Sequence, residues 1–350
     1  MSRTDAREPI RAAVVGGTGY GASELFRLSL LHPSLRIVRA TSSKQAGRPV
    51  ADAHPFLRSV VDLAFEEADP AAAGQGVDVV FLALPHGPSA EFAAGLVRAH
   101  PDVRIVDLSG DFRLTDGEVH RAHYPHTPVH PELRLSFVYG LPELFRAEVA
   151  RARRVANPGC FATGSILALA PLAAGGLLEG PVAVDGKTGS SGSGAEPTAK
   201  THHPERVGRL AAYSPLEHRH APEIEQALRR LGGSPRLAFV PHSTPMVRGI
   251  YTTAYVPNAS GIDAAGVLDL YRSHYAGERF VRVLDEPPDA AVVAGGNFCD
   301  VWATASPDYV VAVSAIDNLV KGAAGQAIQN VNAMFGLEES TGLLHPGSRP

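Results

Sequence analysis

A short apolar run, a glycine-rich turn and a segment of helical periodicity follow one another near the start of the chain. The apolar run covers residues 10–15, and apolar side chains recur at helical spacing over 23–31. This order predicts a strand, a tight turn and a helix, in which glycines let the backbone approach a pyrophosphate at the helix N-terminus. The spacing Gly17-x-Gly19-x-x-Ala22 fits the dinucleotide-binding pattern, and an ordinary βα turn is the alternative. The predicted cofactor contacts in the turn are Gly16, Gly17, Thr18, Gly19, Tyr20 and Gly21.

The second predicted strand, 35–40, ends in a short polar segment. Sites that prefer NAD usually place an acidic residue there to bind the ribose 2′-hydroxyl. Here the residues are Ser42, Ser43 and Lys44, which suit a 2′-phosphate. The segment therefore favours NADP, and a solvated polar loop is the alternative.

Further apolar runs alternate with helical segments through the first half of the chain. Residues 77–84 and 103–108 are predicted strands, and 89–99 is a predicted helix. The alternation predicts an α/β fold with a doubly wound parallel sheet of the Rossmann type. Pro85 and His86 follow a strand at the edge where such sheets bind ligands. After the next strand, Asp111 and Arg113 are active-site neighbours or a local ion pair.

The segment Asn157-Pro158-Gly159-Cys160 precedes an apolar run over 165–172. It predicts a strand, a tight turn and a helix whose first turn contains Cys160. Unpaired N–H groups and the helix dipole favour a thiolate there. Cys160 is therefore a candidate nucleophile, although most cysteines are small buried packing residues. Cys299 has no such context and is predicted to be a packing residue.

Longer strands with fewer helices between them predict an α+β second domain. Strands are expected over 182–187 and, with an irregular middle, over 236–256. Between them, Ser190 and Gly192 belong to a loop whose N–H and hydroxyl groups suit a phosphate or the nicotinamide ribose; a flexible surface loop is the alternative. Arg248 is a candidate anion-binding residue or an edge-strand charge.

Two segments, 200–206 and 217–224, bring histidines and arginines together. Their spacings match no common zinc pattern, so we expect no metal site. Histidine can pass protons near neutral pH, and arginine binds carboxylate or phosphate in a bidentate manner. The segments are therefore better explained by an acid/base residue beside a cationic substrate clamp.

The chain has 350 residues, enough for two domains, and its formal net charge of −4 favours neither nucleic acid nor an acidic membrane as a partner. No apolar run is long enough to span a membrane, and the N-terminus lacks the apolar core of a secretion signal. Two cysteines cannot form a disulfide framework. We therefore expect a cytoplasmic protein.

Taken together, the motifs resemble those of the N-acetyl-gamma-glutamyl-phosphate reductase family, which is similar to aspartate-semialdehyde dehydrogenase. The motifs run in one order over nearly the whole chain: Gly16-Gly17-Thr18-Gly19-Tyr20, Ser42-Ser43-Lys44, Leu84-Pro85-His86-Gly87, Asp107-Leu108-Ser109-Gly110-Asp111-Phe112-Arg113, Asn157-Pro158-Gly159-Cys160, His218-Arg219-His220 and Asp317-Asn318-Leu319-Val320-Lys321-Gly322.

The resemblance implies an NADP-binding domain over 1–159, a catalytic and dimerisation domain over 160–315 and a C-terminal segment over 316–350, whose helix packs back on the first domain. It implies NADPH-dependent reduction of an acyl phosphate through a thioester on Cys160. His218 would be the acid/base residue, with His220 next. The resemblance also places Asn318 at the cofactor and further residues at the substrate, namely Arg219, His220, Arg113, Asn157 and Arg248.

Some residues depart from that pattern. The segments 202–206, 213–215 and 295–297 are closer to the sister enzyme of lysine biosynthesis, which reduces an aminoadipyl phosphate on a small acidic carrier protein. Arg206, Arg209 and Arg219 would suit such a carrier, or are solvated surface residues. A small acyl phosphate and a carrier-linked one both stay open as substrates, and an NADP-binding regulator without catalysis is a third possibility. The resemblance suggests a homo-oligomer, a dimer or a tetramer.

Overall fold

The computed structural model describes residues 8–128 and 130–347. The chain separates into two compact units. The first comprises the residues up to Asn157 together with Ala324–Leu344, and the second comprises Pro158–Ala323 with the residues from His345 onward. Each unit is built around its own seven-stranded sheet.

The strands of the first unit are all parallel, as predicted. They are β1 Ile10–Val15, β2 Leu35–Thr41, β3 Phe65–Glu66, β4 Val79–Leu82, β5 Arg104–Asp107, β6 Val138–Tyr139 and β7 Arg154–Ala156. Their order in the sheet is β3-β2-β1-β4-β5-β7-β6. The chain therefore moves away from β1 in both directions, and the carboxyl ends of β1 and β4 lie side by side at the switch point where such sheets bind ligands.

The helices of the first unit are α1 Tyr20–Ser29, α2 Val50–Ala53, α3 Pro70–Gly74, α4 Pro88–Ala99, α5 Gly117–His123, α6 Pro131–Leu135, α7 Pro142–Val149 and, from the C-terminal part, α13 Gly325–Met334. A 3₁₀ turn covers Pro55–Leu57. Helix α1 begins inside the glycine-rich segment, earlier than apolar spacing predicts, because the Ser23 N–H already bonds to the Gly19 carbonyl at 3.0 Å. Helix α13 packs against α1, α7 and β5.

The sheet of the second unit is mixed. Its strands are β8 Glu179–Thr188, β9 Ala211–Ala212, β10 Ser234–Ser243, β11 Ile250–Pro257, β12 Val281–Val283, β13 Cys299–Ala305 and β14 Tyr309–Ile316. Their order is β12-β13-β14-β11-β8-β10-β9, with β8 parallel to β10 and antiparallel to β11. The two strands predicted over 236–256 are thus present as β10 and β11.

The helices of the second unit are α8 Cys160–Ala174, α9 His203–Arg206, α10 His220–Arg230, α11 Ala264–His274 and α12 Ala290–Val293. Short 3₁₀ turns cover Ser190–Ser193 and Ala199–Thr201, and a π-helical turn covers Val320–Ala324. Helix α8 is apolar on all sides and is buried from Phe161 to Ala173, between α10, α11 and the sheet. Its first residue is therefore fixed to the core of the unit.

Candidate active site

Cys160 is the first residue of α8 and is partly exposed. The turn before it is held from both sides: the Gly159 N–H donates to the buried Glu223 carboxylate at 2.8 Å, and the Gly159 carbonyl accepts the Thr163 N–H, also at 2.8 Å. The N–H groups of the first turn of a helix have no partner within the helix and carry a partial positive charge. This position favours a thiolate and matches the predicted helix start.

Cys160 lies on a cavity of about 370 Å³ within the second unit. The predicted residues His218, Arg219, His220 and Gly192 line the same cavity. Other lining residues were not proposed from the sequence as site residues, and these include Phe161, Thr188, Lys200, Tyr213 and Ser243. The structure thus brings the candidate nucleophile together with the histidine-arginine segment that follows it much later in the chain.

Four cationic side chains line this cavity: Lys200, Arg206, Arg209 and Arg219. None of the described residues in the lining is acidic. Arg206 is buried, and its guanidinium bonds to the Ser243 hydroxyl and to the Thr244 carbonyl, which are neutral groups. The cavity is therefore suited to an anion.

His218 lies in an aromatic enclosure on this cavity. Its ring centroid is 5.6 Å from that of Phe161, 5.7 Å from that of Tyr213 and 5.4 Å from that of Phe239. Burial, together with the smaller effect of the nearby Arg219 charge, lowers the pKa of His218 to about 4. The ring is consequently neutral near pH 7. The His220 N–H donates to Nδ1 at 3.3 Å, which assigns the ring proton to Nε2.

Tyr213 lines the cavity beside the thiol. Burial raises the pKa of Tyr213, and the charge of the Cys160 thiolate raises it further. The phenol therefore stays protonated and can donate a hydrogen bond. Tyr213 departs from a family motif but was not predicted as a site residue, because its proximity to Cys160 depends on the tertiary fold.

The loop with Ser190 and Gly192 is fixed by bonds within the second unit. The Ser190 N–H donates to the Met246 carbonyl at 2.9 Å and is used within the unit, whereas a cofactor contact through the Ser190 hydroxyl stays a prediction. Asn318 holds the loop: its Nδ2 donates to the Ser191 hydroxyl at 2.9 Å. These bonds give Asn318 a positioning role for the loop; a direct contact with cofactor stays a prediction.

Arg248 forms a bidentate salt bridge with Asp317, with Nε–Oδ2 at 2.9 Å and Nη2–Oδ1 at 3.0 Å. Asp317 is fully buried and also accepts the N–H groups of Gly295 and Val320. The Arg248 charge is thus engaged in stabilising the segment before the π-helical turn. This contact differs from both predicted alternatives, an anion-binding residue and an edge charge, and substrate binding by Arg248 stays a prediction.

In the first unit, Arg113 and Asn157 connect strand ends. Arg113 is buried and donates from Nε to the Asn157 carbonyl and from Nη2 to the Leu108 carbonyl, both at 2.8 Å. The Asn157 side chain accepts from Asn330 at 3.0 Å. Asp111 caps α4 by accepting the Gly87 N–H at 2.8 Å. These contacts are structural, and substrate binding by Arg113 or Asn157 stays a prediction.

The glycine turn lies at the carboxyl end of β1. Gly16 has a φ of +83°, and a Cβ there would lie 2.6 Å from the Ala83 carbonyl oxygen, so only glycine allows this approach. The first turn of α1 contains no acidic residue, and no described side chain caps it. A pyrophosphate fits such a helix N-terminus. The other turn residues predicted to contact the cofactor follow at once: Gly17, Thr18, Gly19, Tyr20 and Gly21.

The other predicted cofactor residues of the first unit follow neighbouring strands. After β2, the Ser42 hydroxyl accepts the N–H groups of Lys44 at 3.3 Å and of Gln45 at 3.1 Å, whereas the side chains of Ser43 and Lys44 are on the exposed surface. After β4, Pro85 is exposed and His86 Nδ1 accepts the Gly110 N–H at 2.7 Å. Ser43 and Lys44 are thus the two residues of this polar segment best placed to meet a phosphate.

In the part of the chain that the structure describes, no three His, Cys, Asp or Glu side chains are grouped so that they could hold a metal ion. No helix among the described residues has the length and apolar character needed to cross a membrane.

Two family profiles match successive parts of the chain. One is described as the semialdehyde dehydrogenase NAD binding domain and covers residues 11–152; the other is described as the semialdehyde dehydrogenase dimerisation domain and covers 160–318. Aspartate semialdehyde dehydrogenase II from Vibrio cholerae has a similar structure, with a TM-score of 0.70 at 15% identity, over 94% of this chain and 99% of that one. The predicted fold is confirmed, and the protein is an oxidoreductase of the semialdehyde dehydrogenase class.

Closer relatives define the family within this class. N-acetyl-gamma-glutamyl-phosphate reductase from Methanopyrus kandleri is 46% identical over 342 residues, covering 96% of this chain and 98% of the relative. The protein of the same name from Acidithiobacillus ferrooxidans is 45% identical over 340 residues, with coverage of 96% and 98%. The chain belongs to the N-acetyl-gamma-glutamyl-phosphate reductase family, as its motifs predict.

Proposed function

We propose that this protein reduces N-acetyl-gamma-glutamyl phosphate to N-acetylglutamate semialdehyde and phosphate, with NADPH, in arginine biosynthesis. One observation supports this above all: Cys160 lies at a helix N-terminus and lines a cavity together with four cationic side chains. The substrate has a carboxylate and a phosphate, so its charge complements that lining. The names of the relatives support the same substrate.

In the first chemical step, the Cys160 thiolate attacks the carbonyl carbon of the acyl phosphate. The C–S bond forms, the bond to the phosphate oxygen breaks, and phosphate leaves with the electron pair. The product is a thioester on Cys160, which divides one difficult displacement into two easier ones. The cations of the cavity stabilise the departing phosphate.

His218 and Tyr213 are proposed to assist at the carbonyl oxygen. The neutral His218 ring holds its proton at Nε2, and Tyr213 is a protonated phenol on the same cavity. Both can donate to the oxyanion that develops when the carbonyl is attacked. We propose His218 as the acid/base residue, with His220 as the alternative. Arg219 is proposed to bind the substrate.

NADPH, when bound, supplies the hydride that reduces the thioester. The C–S bond then breaks, the aldehyde leaves and the Cys160 thiolate is restored. The glycine turn would hold the pyrophosphate, and Ser43 with Lys44 would bind the 2′-phosphate. Further proposed cofactor contacts are Pro85, His86, Ser190, Gly192 and Asn318. A relative in the fold, aspartate semialdehyde dehydrogenase from Candida albicans, was solved with NADP, at 14% identity, a TM-score of 0.68 and coverage of 94% of this chain and 100% of that one.

The test follows NADPH formation from NADP, phosphate and N-acetylglutamate semialdehyde. The parent should show turnover that depends on phosphate, and Cys160→Ser should lose about a thousandfold or more of it. Cys299→Ser is the matched control, since Cys299 is buried in β13, and it should keep its activity. Parent protein without phosphate-dependent turnover would exclude the proposed substrate, and full activity in Cys160→Ser would exclude the thioester.

A second candidate is a carrier-linked aminoadipyl or glutamyl phosphate. The observation that favours it is the position of Lys200, Arg206 and Arg209 on one segment of the cavity wall, because a carrier with acidic residues would need a basic surface. Arg209→Ala should then weaken turnover of carrier-bound semialdehyde far more than that of the free one. Arg121→Ala, at an exposed arginine of the first unit, is the control. Equal effects on both substrates would exclude the carrier.

We also propose that nucleotide binding resides in 1–159 and catalysis in 160–315, and that the helix within 316–350 packs back on the nucleotide-binding domain. A homo-oligomer, a dimer or a tetramer, is supported by the description of the second family profile as a dimerisation domain. Light scattering after gel filtration measures this state directly. Cys160 and Cys299 are not joined by a disulfide in the described part of the chain, and we propose the reducing cytoplasm as the compartment.

A further inference from the structure

A buried histidine contacts the glycine turn of the first unit. His54 follows α2, and its Nε2 lies 2.6 Å from the carbonyl oxygen of Gly17. A carbonyl can only accept, so Nε2 carries the proton and donates. The ring packs between Phe26 of α1, with centroids 5.7 Å apart, and Phe56, with centroids 6.2 Å apart. The sequence motif gives no indication of this contact.

Gly17 is held on both of its polar groups. Its N–H donates to the Thr41 carbonyl at 2.9 Å, and its carbonyl accepts from His54. A Cβ on Gly17 would lie 2.7 Å from the Phe65 ring, so the residue is also enclosed sterically. Both of its backbone groups are therefore used in hydrogen bonds within the unit.

The next backbone donor is fixed as a consequence. The carbonyl of Gly17 and the N–H of Thr18 belong to one planar trans peptide and point in opposite directions. Because His54 holds the carbonyl on the buried side, the Thr18 N–H is turned to the opposite side, and Thr18 is partly exposed. Without His54, this peptide could rotate and present a carbonyl oxygen where a donor is needed.

We propose that His54 is a positioning residue for the cofactor, which sets the Gly17–Thr18 peptide so that its N–H meets the pyrophosphate. This inference rests on the proposed function, since it takes NADP as the ligand of the turn. His54 itself does not touch the cofactor.

The test compares two variants at position 54, one without and one with a side-chain N–H donor. His54→Phe fills the space between the two phenylalanines but cannot donate, and His54→Gln keeps an N–H donor. The Kd of NADP, measured by calorimetry, should rise about tenfold in His54→Phe, which corresponds to about 1.4 kcal/mol, and should recover in His54→Gln. The matched control is His100→Phe, because His100 Nε2 makes the same kind of bond to the Ala71 carbonyl at 2.7 Å.

A second ligand separates positioning from general damage to the fold. Adenosine 2′-monophosphate lacks the pyrophosphate, so its Kd should stay unchanged in His54→Phe. Equal weakening of both ligands, or an NADP Kd that stays at the parent value, would overturn the inference. If His54→Phe does not fold, the Kd of NADP for His54→Gln still tests the inference. A Kd far above that of the parent would contradict a role of His54 as donor. If the parent protein does not bind NADP, both the proposed function and this inference are contradicted.

Discussion

A methyl group on Gly322 would lie 2.8 Å from the Cβ of Cys160 and 3.2 Å from its Cα. Real Cβ atoms almost never approach so closely, and neither atom of Cys160 can move without moving α8. Gly322 belongs to the π-helical turn Val320–Ala324, and Asp317 fixes the start of that turn by accepting two backbone N–H groups. The position of Cys160, the proposed nucleophile, is therefore fixed by backbone contact with a segment far along the chain.

Gly322→Ala should displace Cys160 by a fraction of an ångström without removing any catalytic group. Because misplacement of a reacting atom by about 1 Å can cost about a hundredfold in rate, we expect kcat to fall by about 10- to 100-fold. Steady-state kinetics measure this, and Ala323→Gly is the control, since it alters the same turn without adding an atom. Unchanged kcat in Gly322→Ala would show that the contact does not position the thiol.

The low pKa of His218, about 4, makes stability depend on pH. The unfolded ring binds a proton near its ordinary pKa of 6.5, whereas the folded ring does so only near 4. Between these values the unfolded state binds more protons, so stability falls as the pH falls from about 6.5 to about 4. His218→Phe removes this contribution.

The apparent Tm should therefore fall less between pH 7 and pH 4.5 in His218→Phe than in the parent, by about 2–4 °C. Differential scanning calorimetry at both pH values measures the difference. His126→Phe, at an exposed histidine, should behave as the parent does. Parallel pH dependence in the parent and in His218→Phe would contradict a buried neutral ring.

Discrimination between the two nicotinamide cofactors should depend on Ser43 rather than on Ser42. The Ser42 hydroxyl is used within the turn, whereas Ser43 is exposed beside Lys44. Ser43→Asp brings a like charge to the 2′-phosphate, so the KM for NADPH should rise by at least about tenfold. The KM for NADH should change little. Kinetics with both cofactors test this, and equal changes would show that this segment does not bind the 2′-phosphate.

Local order was predictable from the sequence. The apolar run before Gly16 and the glycines after it determine a strand, a turn and a helix, and the alternation of such units determines the parallel sheet. The segment after Cys160 contains apolar residues at nearly all positions, which predicts a helix that is buried on all of its faces. These features depend on residues that are close together in the chain.

Partners that are distant in sequence were not predictable. The sequence left Arg248 as an anion-binding residue or an edge-strand charge, because its salt bridge with Asp317 depends on the fold. Arg113 likewise bonds to backbone carbonyls that only the sheet brings together. Conversely, Tyr213 could not be predicted as a site residue, because only the fold places it beside the Cys160 thiol. Hydrogen-bonding capacity is visible in a sequence, but the choice of partner depends on tertiary structure.

The two thiols should differ in their access to reagents. Cys160 is partly exposed on a cavity lined by cations, and Cys299 is fully buried in β13. Iodoacetamide should therefore modify Cys160 alone in the native protein and both cysteines in urea. Inorganic phosphate should slow the native reaction, since an anion held by the cations would cover the thiol, whereas chloride at equal ionic strength should not. Mass spectrometry of timed samples gives both rates. Arg209→Ala should weaken the protection by phosphate, and equal labelling of Cys160 with and without phosphate would show that the cations do not hold an anion beside this thiol.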